Sequence, residues 1–156
     1  MSPLKQRILA VSLAGATGMA GVLVSNFEGR SLVAYLDPVG IPTICEGVTR
    51  GVRLGQTKTP VQCDDLLRAE LSVAMAGVDR NVTRPQPETR RAALASFVYN
   101  VGETQFKNST LLRKLNAGDA RGACAELSRW VYAKGQKLQG LVNRRAAERE
   151  LCEAGL

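Results

Sequence analysis

Hydrophobic and polar positions divide this chain into stretches of unlike period. From Ile8 to Val24 it runs ILAVSLAGATGMAGVLV without a charge, behind a basic flank of Lys5 and Arg7. The text turns polar over Asn26–Gly29, where a folded domain is expected to start. Residues 30–57 are rich in Gly, Thr and Val, with Pro38 and Pro42. That composition predicts short strands and tight turns, hence a small antiparallel sheet. Thr59-Pro60 reads as an N-cap followed by proline at the first helical position. Asp64 and Asp65 are expected in the first turn of that helix, where its dipole favours acids. Leu67, Leu71 and Met75 repeat at helical spacing and carry the helix to about residue 80. Pro85 and Pro87 break the chain, and Glu88 opens a helix that Gly102 ends. Ala92, Leu94, Ala95, Phe97 and Val98 make it apolar almost all round, as in a central buried helix. Ser109 caps a short helix that stops at Gly118. Another is expected over Asp119–Arg129, and a basic amphipathic helix from about Leu138 to Cys152 closes the chain. The fold class is α+β: a small sheet lobe and a larger helical lobe joined by the long helix. A cleft between two such lobes is a natural ligand site.

A basic flank followed by an apolar stretch has the order of an export signal, with the basic side kept in the cytoplasm. The stretch is at the lower limit for spanning a bilayer. Gly15, Gly18 and Gly21 each cost a helix about 1 kcal/mol relative to Ala, so insertion is weak. Four readings follow. The segment is a cleaved signal peptide, a permanent anchor, a signal anchor that later leaves the membrane intact, or a buried N-terminal helix of a soluble protein. Few Leu and Ile argue against the permanent anchor. The buried helix leaves Lys5 and Arg7 unexplained. The chain is accordingly divided into a membrane segment, 1–25, and a catalytic domain, 26–156.

Composition narrows the chemistry. The hydrophobic fraction is 45% but aromatics are only 4%, so the core is aliphatic. Lys+Arg outnumber Asp+Glu by 21 to 14, a formal charge of +7. That fits an anionic partner or simply a soluble basic surface. Lys134, Lys137, Arg144 and Arg145 belong either to a surface drawn to anionic wall polymer or lipid, or to a solvated helix face in which Arg144 and Glu148 pair at i,i+4. The solvated face is the expectation. Basic residues are not interleaved with aromatics, which argues against nucleic acid. Trp130 is expected to pack in the core. There is no histidine, which excludes Ser/His/Asp and Cys/His catalysis and any histidine-ligated metal. Cys45, Cys63, Cys124 and Cys152 show no C-x-x-C spacing. They suit two disulfides outside the cytoplasm, or four reduced thiols if the N-terminus is cytosolic.

Acid–base work then falls to carboxylates, Lys or Tyr. Glu28 follows Phe27 at the end of the apolar run, where desolvation would raise its pKa as a general acid requires. Asp37 precedes Pro38 in a polar turn that should keep it ionised. Thr43 lies on the next strand, with a hydroxyl to hold a water. Two carboxylates in unlike settings are what glycoside hydrolysis needs, although exposed carboxylates are common and the pattern by itself is weak.

The spacing Glu28-x8-Asp37-x5-Thr43 resembles the catalytic Glu–Asp–Thr pattern of phage lysozymes, glycoside hydrolase family 24. FEGRSLVAYLDPVGIPTICEGVTRGVRLG resembles the family's opening motif. ALASFVYNVGETQFKNSTLLRKLNAGD and RWVYAKGQKLQGLVNRRAAEREL resemble its central-helix stretch and C-terminal signature. The resemblance implies a lysozyme-like fold, no cofactor, and hydrolysis of the β-1,4 bond between N-acetylmuramic acid and N-acetylglucosamine in peptidoglycan. It implies Glu28 as general acid, Asp37 as general base and Thr43 as water holder. An inverting enzyme of this kind sets its carboxylates about 6.5–9.5 Å apart. Tyr99 and Asn100 match the cleft-lining segment and would contact sugar, unless Tyr99 merely packs at the helix end. Likeness and proximity pair Cys45 with Cys63 and Cys124 with Cys152. Gly47-Val48-Thr49 stands where many relatives have Gly-His-Thr, which predicts apolar packing in place of a polar contact. The weakly apolar, Gly/Ala-rich N-terminus is similar to that of signal-anchor-release endolysins. It implies a monomer held in the host inner membrane by residues 8–24 and then released to the periplasm. An inactive wall-binding module and a cationic membrane disruptor are the rival classes.

Overall fold

A computed structural model describes residues 2–156. Helix α1 (Pro3–Ala10) is followed by a 3-10 turn at Ser12–Ala14 and by α2 (Gly15–Glu28). Strands β1 (Ser31–Leu36) and β2 (Pro42–Cys45) follow, then α3 (Pro60–Asn81) and α4 (Glu88–Val101). The short helices α5 (Glu103–Lys107), α6 (Thr110–Asn116) and α7 (Ala120–Glu126) lead to a hairpin, β3 (Tyr132–Ala133) and β4 (Gln136–Lys137). Helix α8 (Gln139–Glu153) closes the chain.

Local chemistry explains most boundaries. Thr59 accepts from Gln62 N while the Gln62 side chain accepts from Thr59 N, a capping box with Pro60 at the first helical position. Asp64 and Asp65 fall one turn later than expected, because the box places Gln62 at the third position. Asp64 is used instead by Arg30, at 2.6 Å. Ser109 caps α6 through Leu112 N, and Asp119 caps α7 through Gly122 N. The expected Asp119–Arg129 helix is α7 plus a 3-10 turn at Leu127–Arg129. Helix α5 and the β3–β4 hairpin are too short for a periodic pattern to announce.

The two lobes have separate cores. Strands β1 and β2 pair antiparallel, Tyr35 opposite Thr43, with further bridges Val33↔Thr57 and Ile44↔Val48. Ala34, Ile44, Cys45, Val48 and Cys63 are buried beneath them. Val48 thus sits in apolar packing, as its place in the Gly-Val-Thr stretch predicts. In the helical lobe α4 is the centre, its residues from Ala92 to Phe97 fully buried, and α2, α3 and α8 pack around it. Trp130 meets Phe97 edge-on at 5.2 Å. The disulfides are Cys45–Cys63, tying the sheet to α3, and Cys124–Cys152, tying α7 to α8.

The N-terminal segment belongs to this core. Met19, Ala20, Leu23 and Val24 of α2 are buried against α4, and α2 runs unbroken across residue 25 through Glu28. Each large side chain of this kind is worth about 1.5–3 kcal/mol when taken from water. Among the described residues no single helix is long and apolar enough to cross a membrane. Pro3–Ala10 and Ser12–Glu28 meet the length and composition together but are bent by 51°.

Candidate active site

Glu28 is the last residue of α2, and Gly29 ends the helix with φ +68°. The carboxylate is one quarter exposed. Its Oε1 accepts from Arg144 Nη1 at 2.6 Å, across 116 residues. Its Oε2 lies against Gly47, where a Cβ would come within 3.2 Å of it, and the positive φ of 80° also favours glycine there. Arg144 sits 6.0 Å from the ring of Phe27. It compensates a negative charge placed at the carbonyl end of a helix, where the dipole disfavours one.

Arg144 belongs to a buried network. Arg144, Arg145 and Glu148 are 3%, 1% and 0% exposed. The expected i,i+4 pair is present, Arg144 Nε to Glu148 Oε1 at 3.1 Å, but it is no solvated face. The helix meets α4 on that side, so these side chains pair with each other instead of water. Glu148 also accepts from Arg145 Nη1 at 2.6 Å and Ser96 Oγ at 2.7 Å. Arg144 Nη2 donates to Ser96 O at 3.1 Å, and Arg145 Nε to Trp130 O at 2.9 Å. Arg145 stacks over Phe97 at 5.0 Å. Burial lowers the pKa of Arg145 from its ordinary value, and Glu148 opposes the shift. Lys134 and Lys137 remain exposed.

Asp37 and Thr43 meet at one residue, Ile41. Asp37 Oδ1 accepts from Val39 N at 2.9 Å and Ile41 N at 2.8 Å, stapling the turn between β1 and β2. Thr43 Oγ1 donates to Ile41 O at 2.9 Å and is buried. Turn chemistry brings these two side chains together. Glu28 enters by tertiary packing of α2.

Tyr99 and Asn100, at the end of α4, are both engaged in joining elements. The Tyr99 hydroxyl donates to Glu46 O at 2.7 Å. Burial first, then the charges of Glu28, Glu70 and Glu46, raise its pKa, so the phenol stays a donor. Asn100 is exposed, and its Oδ1 accepts a short hydrogen bond from Arg145 Nη2. A cavity of about 280 Å³ opens beside Gly47 and Tyr99, bounded by Thr49, Glu70 and Glu103.

Sequence reasoning missed Glu46. It is 1% exposed, with Oε1 on Arg30 Nε and Oε2 unpartnered. Arg30 also bonds Asp64, so the chain just after Glu28 is clamped to both β2 and α3. Nothing in its local sequence marks Glu46 as buried, because the partner lies 16 residues back. The grouping Cys45, Glu46 and Cys63 has donors of metal-binding type, but its sulfurs are joined in the disulfide and offer no thiolate.

The Phage lysozyme family profile matches residues 25–148. The chain is 42% identical over 156 residues to a SAR-endolysin of Enterobacteria phage PA-2, covering 96% of this chain and 94% of that one. It is 32% identical to the muramidase domain of SpmX from Asticaccaulis excentricus, with a TM-score of 0.80 over 85% of this chain and 93% of that one. The fold also matches the active form of the P1 phage endolysin Lyz, TM-score 0.84 at 23% identity, over 99% of this chain and 96% of that one. The chain belongs to the phage lysozyme family and is a lysozyme-type hydrolase with an α+β, lysozyme-like fold.

Proposed function

We propose that this protein is an endolysin muramidase that hydrolyses the β-1,4 bond between N-acetylmuramic acid and N-acetylglucosamine, with inversion. Glu28 gives a proton to the glycosidic oxygen as the bond to the anomeric carbon breaks. Asp37 takes a proton from the attacking water through Oδ2, since Oδ1 is occupied by the turn. Thr43 accepts from that water; its own hydrogen is already committed to Ile41 O. After transfer Glu28 is anionic, and Arg144 stands 2.6 Å away to stabilise it. That buried guanidinium on the expected general acid is the observation that carries the reading. Exposed Asn100, its amide oxygen taken by Arg145, has its amide nitrogen to offer the glycan, while Tyr99 serves first to join α4 to the end of β2.

Purified peptidoglycan sacculi test the assignment. Glu28→Gln and Asp37→Asn should each lower the clearing rate by roughly 10²–10⁴-fold, with folding intact by circular dichroism. Proton NMR of fresh product should show the anomer opposite to the substrate's. Full-rate clearing by either variant sinks the roles, and a retained anomer sinks inversion.

The relatives' name and the basic-then-apolar N-terminus support a second part of the reading. Residues 8–24 first hold the chain in the inner membrane with its N-terminus in the cytoplasm. The released, monomeric chain then acts in the periplasm. In this reading the fold with α2 seated on α4 is the released state.

A further inference from the structure

The N-terminus of α2 is closed by a residue from the middle of the chain. Its own N-cap, Ala14, supplies no side-chain acceptor, so its first-turn amides need one from elsewhere. Ala16 N donates to Glu88 Oε2 at 2.9 Å, across 72 residues. Glu88 is also the first residue of α4, so its carboxylate serves the positive ends of two helix dipoles. Its Oε1 accepts from Arg91 Nη1 at 2.6 Å. Arg91 Nη2 in turn reaches both oxygens of Asp79 on α3, at 3.1 and 3.0 Å. The glycine at position 15 completes the fit. Its φ is +70°, and a Cβ there would come within 3.2 Å of Glu88 Oε2.

We propose that Glu88, aligned by Arg91 and Asp79, is a positioning residue for Glu28: by clasping the N-terminus of α2 it favours the seated helix over the membrane-inserted one. The inference rests on the tethering reading above. Apolar burial discriminates poorly between those two states, because lipid tails are as apolar as a leucine core. Met19, Leu23 and Val24 are well placed in either. Inserted, the segment is one continuous helix, and the Ala16 amide bonds the carbonyl of Ser12. Seated, Gly15 takes a left-handed φ of +70°, which breaks the helix between Ser12 and Ala16 and frees that amide. Glu88 takes it, a contact that lipid cannot offer. Of the other polar tethers, Lys5 to Glu150 at 3.0 Å is largely open to solvent and therefore weak, and Arg144 holds only the far end of α2, at Glu28. Since α2 is one rigid element from Gly15 to Glu28, fixing its start fixes where the carboxylate at its end lies.

Two measurements on full-length wild type, Glu88→Ala and Glu88→Gln test this. In the released soluble protein, amide exchange at residues 16–18 should rise roughly fivefold in Glu88→Ala, the factor a helix cap is worth. Glu88→Gln, which keeps an acceptor without the charge, should rise less. Exchange in α8, and in α4 beyond its first turn, should not change, and kcat should fall with KM kept. In cell fractionation the Glu88→Ala chain should stay in the membrane several-fold longer than wild type. Unaltered exchange at Ala16, or a uniform rise in every helix, overturns the clasp. Absence of any membrane-bound wild-type pool overturns the tethering on which the selection depends, and does so without reference to Glu88.

Discussion

At the scale of single residues, the site is governed by who neutralises whom. Glu148 carries two buried guanidiniums, and Arg144 passes one of them on to Glu28. Removing that negative charge leaves buried Arg145 without an anionic partner and Arg144 with Glu28 alone. Glu148→Gln should therefore cost about 3–5 kcal/mol in urea unfolding, whereas Lys134→Gln and Lys137→Gln should stay within about 0.5 kcal/mol. Acid stability follows from Glu88. The hydrogen bond from Ala16, then that from Arg91, lowers its pKa below the ordinary 4.5. A depressed folded-state value means a contribution complete above pH 4.5 and lost as pH falls through the folded value. Thermal unfolding from pH 6 to 3 should show the wild type losing stability over that window and Glu88→Gln losing less. Of these relations only the Arg144–Glu148 spacing was legible in the sequence. Whether such a pair meets water or a neighbouring helix is set by the packing of α8 on α4, which no local pattern encodes.

At the scale of elements, the proposed tethering would ask α2 to suit two solvents. Glycine weakens insertion of a helix, and the glycines of α2 also shape the seated form. A Cβ at Gly18 would lie 2.5 Å from that of Ala14, and one at Gly21 would touch Leu71 at 3.4 Å. Replacing Gly15, Gly18 and Gly21 together by Leu should hold the chain in the membrane and, in detergent-extracted protein, abolish muramidase activity by unseating α2. Lysis on the wild-type schedule would rule this out. The disulfides staple short elements that have little core of their own. Replacing Cys124 and Cys152 by Ala opens a 28-residue span and should cost about 3 kcal/mol, measured as a lower unfolding midpoint. Thr59, Pro60, Ser109 and Gly102 were readable as boundaries because capping acts over three or four residues. Helix α5 and the β3–β4 hairpin were not, because five- and two-residue elements offer no period to detect.

For the whole molecule, the sequence by itself determined the class of architecture, the order and approximate ends of α3, α4 and α8, and the absence of histidine chemistry. It also determined which carboxylates and hydroxyl stand at the spacing of the phage lysozyme pattern. These are properties of composition, period and short-range capping. Only the tertiary structure decided that residues 15–28 and the helical lobe share one core, and that Arg144 reaches Glu28 across 116 residues. It alone buried Glu46 beside Arg30 and turned Glu88 toward the start of α2. The physical reason is common to all four. An apolar helix states that it must be buried but not by what, and a charged side chain acquires its partner only when distant elements are packed together.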